Sequence, residues 1–158
     1  MENQRLVGAK FDLSFTVGRR HVTPELDRLL CSRYPRIFAE RNLSPRETCM
    51  CWGFPGDGWY ALIDTLCAQL QLRTERHGEP QIVVTQVKEK LGRLRVYVQE
   101  ASPAQHKAIA AAERMSARIC EVCGEPGQFV RDGFYRTRCA RHRDVSRADA
   151  KSPSAGRA

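Results

Sequence analysis

Two short pairs of metal-ligating side chains near the C-terminus constrain this chain more than any other feature. Cys120 and Cys123 are separated by two residues, Cys139 and His142 likewise, and fifteen residues lie between the pairs. A two-residue spacing lets each pair close on one ion, and sulfur with imidazole nitrogen is the donor set zinc takes in four-coordinate tetrahedral sites. Four protein ligands leave no open position, so the pattern predicts a structural Zn2+ and not a catalytic one. The segment between the pairs has too few apolar residues to fold alone, and metal binding worth about 10–16 kcal/mol would organise it.

The residues around the ligands suggest how the module is built. Gly124 follows the second cysteine, where a tight knuckle turn favours a residue without a Cβ. Phe129 to Tyr135 reads as a small hairpin turning at Asp132-Gly133. Cys139 and His142 are three apart and can project from one face of a helical turn. Knuckle, hairpin and helix start together resemble a treble-clef zinc finger or a zinc ribbon.

The other cysteines, Cys31, Cys49, Cys51 and Cys67, form no such pattern. One intervening residue is a poor bite for zinc, and Cys67 falls on an apolar helix face, so burial as small hydrophobes is the expectation. The N-terminus lacks the charged start and apolar centre of a signal peptide, and no apolar run approaches the ~20 residues of a membrane span. A cytoplasmic location without membrane contact is therefore expected, with the cysteines as thiols or ligands.

Periodicity predicts an α+β fold in which a small antiparallel sheet is packed by helices. Residues 10–17 alternate as a half-buried strand. Thr23-Pro24 reads as a helix start, with Leu26, Leu29 and Leu30 as its buried stripe and an end near Tyr34-Pro35. A second helix is expected from Trp59 to Leu72, with positions 59, 62, 63, 66, 67 and 70 apolar. Ile82–Lys88 and Leu94–Val98 read as a hairpin turning at Leu91-Gly92, with Val87 against Val96 and Thr85 against Val98 on its core side. Ser102 and Gln105 make a capping box for an alanine-rich helix running to about Ile119. Three regions are expected: an α+β core over 1–101, a helix with the zinc module over 102–143, and a disordered basic tail over 144–158.

Charge suggests an anionic partner. The formal net charge is +8, and its excess is denser after residue 117. Opposed across the hairpin, Lys90 faces Arg93 and Lys88 faces Arg95, with Tyr97 on the same side. Like charges directly opposed cost stability, so this face invites nucleic acid or a nucleotide, with Tyr97 to stack on a base. Arg136, Arg138 and Arg141 add a second cluster by the zinc ligands, suited to phosphates. The same cations fit an ordinary solvated surface, and both readings stay open. Trp52, Asp57 and Trp59 lie in a glycine-rich loop that forms either a shallow ligand pocket or a cover over the core. No catalytic constellation is evident; an enzyme would need clustered carboxylates or a metal with an open position, and clustering of Asp57, Asp64 and His77 in space would reopen that class.

Four blocks, Cys49–Phe54, Gly58–Cys67, Val87–Tyr97 and Ile119–Gly127, resemble a family of uncharacterised small proteins from bacteriophages and prophages. The likeness runs from about Leu29 to His142, and the chain departs from it at Leu91-Gly92-Arg93 and in its N-terminal strand. It implies a phage or mobile-element origin and action in a bacterial host cytoplasm. The leading expectation is a non-enzymatic, zinc-stabilised binding protein for an anionic partner such as nucleic acid. The alternative is a counter-defence protein that sequesters a host nucleotide signal or inhibits a host defence protein. Oligomeric state does not follow from the sequence.

Overall fold

A computed structural model describes residues 22–131 and 133–143. The expected strand over 10–17, Asp132 and the tail over 144–158 lie outside the described residues. Within them the fold is α+β, with three α-helices and two two-stranded antiparallel sheets. No helix among the described residues is long and apolar enough to cross a membrane.

Helix α1 spans Pro24–Arg33, with Thr23 extended at the N-cap and proline opening the first turn. The Thr23 side chain makes no cap bond; its backbone N–H donates instead to Asp57 Oδ1 at 2.6 Å. Leu30 is fully buried, but Leu29 is 43% exposed, so the apolar stripe is narrower than expected. The long connection that follows is held by side chains. Arg41 grips Asp27 through two nitrogens at 3.1 and 2.7 Å and donates to the Cys51 carbonyl at 2.9 Å. Phe38 and Phe54 meet edge to face at 4.9 Å.

Helix α2 spans Tyr60–His77, five residues beyond the expected end. Its last turn lacks apolar residues, so periodicity fades there. Polar bonds carry it on: Arg73 grips Glu79 at 2.8 and 3.0 Å, and Gly78 closes the helix at φ 63°. Leu62, Ile63, Leu66, Cys67 and Leu70 are buried as the spacing predicts.

Strands β1 (Val84–Lys90) and β2 (Arg93–Val98) form the hairpin. Val87 pairs with Val96, Lys88 with Arg95 and Lys90 with Arg93, as the Leu91-Gly92 turn dictates. The expected Thr85–Val98 pair is replaced by Val84–Val98, because a bulge intervenes between Val84 and Gln86. The bulge turns Val84 into the core, and the Thr48 hydroxyl donates to the Thr85 carbonyl at 3.2 Å. Helix α3 (Pro103–Ser116) carries the full capping box of Ser102 and Gln105 and ends before Ile119. It covers the edge of β2: Ser116 Oγ accepts from the Leu94 N–H at 2.9 Å and Glu113 from the Val96 N–H at 3.0 Å. An edge so covered has fewer groups left to pair with another chain. Strands β3 (Gln128–Arg131) and β4 (Tyr135–Arg138) make the second sheet.

Candidate metal centre

The four predicted ligands converge. Each lies where a short element points it: Cys120 and Cys123 on the turn after α3, Cys139 before a 3-10 turn at Ala140–His142, and His142 at its end. The His142 N–H donates to the Cys139 carbonyl at 3.0 Å, which sets that pair. All four ligand atoms lie within 4.8 Å of one another. Cys123 Sγ is 3.7 Å from Cys139 Sγ, and His142 Nδ1 is 3.5 Å from Cys120 Sγ and 3.2 Å from Cys139 Sγ. Zinc bond lengths in a regular tetrahedron set edges of about 3.8 Å between sulfurs and about 3.6 Å between sulfur and nitrogen. The cluster is therefore close enough to bind a metal ion. Among the described residues this is the one such group of three or more ligands.

The surroundings prepare the ligands unevenly. Burial lowers the His142 pKa, helped by Arg138 and Arg141, and so favours the neutral imidazole that ligates. Burial, with the thiols of Cys120 and Cys139, pushes Cys123 up to about 11. Cys139 is held below the ordinary thiol value: burial works against it, but hydrogen bonds from the other two thiols and two backbone N–H groups outweigh that.

Two glycines bind this module to the rest of the fold. At Gly58 an added Cβ would sit 2.1 Å from the Cys120 carbonyl oxygen and 2.7 Å from the Cys123 nitrogen. The Gly58 N–H donates to the Glu121 carbonyl at 3.2 Å, and Trp59 Nε1 donates to the Ile119 carbonyl at 2.9 Å. At Gly92 a Cβ would meet the Arg136 nitrogen at 2.8 Å, and the Gly92 carbonyl accepts from the Thr137 hydroxyl at 2.7 Å. The aromatic-glycine loop thus braces the knuckle, and the β1–β2 hairpin tip rests on β4.

The other predicted site residues scatter by role. Trp59 is wholly buried and Trp52 is 65% exposed, so they share no open face. Asp57 accepts from Thr23, while Asp64 accepts from Arg33 at 2.8 Å and from the Tyr34 hydroxyl at 2.9 Å. His77 lies thirteen residues further along α2, about 20 Å away at 1.5 Å per residue. Asp57, Asp64 and His77 form no catalytic cluster. Burial and Asp27 push the Cys31 thiol up to about 11, and burial with Asp64 raises Cys67 further, which suits inert thiols. Cys49 is exposed, and the Cys51 thiol donates to the Thr48 carbonyl at 3.2 Å.

The basic residues divide in the same way. Lys90 and Arg93 are exposed at the hairpin end; Lys88 Nζ lies 4.8 Å from the Tyr97 ring centre. Arg95 is turned to α3, where it meets Glu113 at 3.4 Å. Arg138 pairs with Glu121 at 2.8 Å in a largely buried bridge, Arg136 is half-buried, and Arg141 is exposed. Phe129 and Tyr135, expected only as residues of the small hairpin, stack their rings at 5.8 Å beside Arg93 and Arg131. Their alternation in β3 and β4 was the available signal. No protein-family model, curated protein or solved structure matches the chain.

Proposed function

We propose that this chain is a zinc-stabilised binding protein without a catalytic centre, of bacteriophage or mobile-element origin and acting in a bacterial cytoplasm. Its partner is anionic, and nucleic acid is the class favoured. The observation that supports the reading is the seating of the Leu91-Gly92 tip on Thr137 of β4, two residues before Cys139, in a hairpin that carries the exposed cations Lys90 and Arg93. A four-ligand site is closed and acts through what it holds in place. What it holds here is a surface with Lys88, Lys90 and Arg93 on one strand pair of a chain with net charge +8. Phosphate contacts of this kind give affinity without base specificity. The reading in which a nucleotide signal sits between Trp52, Trp59 and Arg95 gains no support, since Trp59 offers no surface and Arg95 is paired.

The test has two parts. Metal analysis of purified protein is expected to give one zinc per chain. Mixed-sequence oligonucleotides are expected to bind at low salt, with affinity falling steeply as salt rises and the slope reduced by about one for each of Lys90→Gln and Arg93→Gln. No binding at low salt overturns the nucleic-acid reading.

A further inference from the structure

We propose that the row Arg93, Phe129, Tyr135 and Arg131 is a stacking platform for single-stranded nucleic acid; the proposal rests on the nucleic-acid reading above and narrows it. The row crosses both sheets. The Arg93 guanidinium carbon of β2 lies 5.3 Å from the centre of the Phe129 ring of β3. Phe129 stacks on Tyr135 of β4 at 5.8 Å and 27° between planes, and Arg131 of β3 lies 5.3 Å from the Tyr135 ring. The rings are 40% and 36% exposed.

The alternation of cation, ring, ring and cation decides the partner. A guanidinium lies over the outer side of each ring, and a base takes that side by displacing it, which frees the guanidinium to meet a phosphate. In a duplex the base faces are already covered by their neighbours, so ring surface gains little there. Many duplex readers place a helix in a groove. Here α3 is packed on β2 through Glu113 and Ser116, and the turn after Cys139 has three residues. The rings are also preorganised. Mutual stacking restrains Phe129 and Tyr135 before any strand arrives, and Phe129 is wedged against the Gly92 turn, 3.0 Å from where a Cβ there would lie. Less side-chain freedom is then lost on binding.

Fluorescence anisotropy tests this with the zinc-loaded full chain and one mixed 12-mer, offered as a single strand and as its duplex. Wild type is expected to bind the single strand at least 10-fold more tightly than the duplex at the same salt. Phe129→Leu and Tyr135→Leu keep apolar bulk and are each expected to weaken single-strand binding about 10-fold, with the salt slope and zinc content unchanged. Phe129→Tyr and Tyr135→Phe are expected to retain it. Equal or tighter duplex binding, or leucine variants that bind the single strand as wild type does, overturns the platform and leaves the nucleic-acid reading intact. Absence of binding to either form at low salt overturns both.

Discussion

The Thr137 hydroxyl donates to the carbonyl of Gly92 at 2.7 Å, and both residues are buried. One hydrogen bond thus pins a hairpin tip onto a strand forty-five positions later. Thr137→Val keeps the shape and leaves that carbonyl without its donor, which costs about 1–3 kcal/mol. Thr137→Ser is expected to recover most of the loss. Urea unfolding of the three proteins checks the order.

Gly58→Ala is expected to be among the most damaging single changes. The new methyl meets backbone atoms of Cys120, Glu121 and Cys123, none of which can rotate away as a side chain would. Overpacking costs typically about 1–3 kcal/mol, and here the rigid knuckle puts the cost at the upper end. Weaker zinc retention against a chelator is expected to accompany it, read by metal content after dialysis.

Leu91 stands at φ 53°, a left-handed conformation unfavourable for leucine by about 1–2 kcal/mol, and its side chain is 57% exposed. Asparagine accepts this conformation readily and, before glycine, makes a favoured two-residue hairpin turn. Leu91→Asn is therefore expected to stabilise the protein by about 1 kcal/mol, seen as a raised denaturation midpoint.

Metal removal is expected to be felt at the start of α2, through Trp59. That indole is buried and bonded to the Ile119 carbonyl, one residue before the first ligand. In Trp52→Phe, which leaves Trp59 as the sole tryptophan, chelation is expected to shift emission to the red. An unchanged spectrum after verified metal loss would show that the brace stands without the ion.

Acid is expected to loosen the entrance of α3. Hydrogen bonds from Arg73 and, to a lesser degree, Ser102 hold Glu79 below its ordinary value of 4.5. A carboxylate depressed in the folded state contributes stability above its unfolded pKa and loses it as pH falls through the folded value. Glu79→Gln is expected to flatten the acid limb of stability below about pH 5, and hydrogen exchange at Gln105 and His106 would report it locally.

Local features were legible in the sequence, and contacts between distant segments were not. The Ser102–Gln105 box, the hairpin register and the four clustered ligands each follow from residues close together or from a donor set with few uses. The end of α2 was missed because its last turn is secured by Arg73 and Glu79 rather than by an apolar stripe. The Thr85 bulge was missed because alternation alone does not reveal where a strand gains a residue. Gly58 and Gly92 are readable as turn residues, yet their close approaches to the knuckle and to β4 depend on elements about 44 to 65 positions away, beyond any local propensity.

The seats at Gly58 and Gly92 also impose an order of events during synthesis. Both are translated well before Cys139 and His142, which arrive last and complete the cluster they brace. At roughly 5–20 residues per second, several seconds pass before the residues that seat on them are made. A prematurely ended product that stops before Ile119 lacks every residue that seats on the Trp59 flank and the Gly92 tip, and would display both to chaperones and proteases.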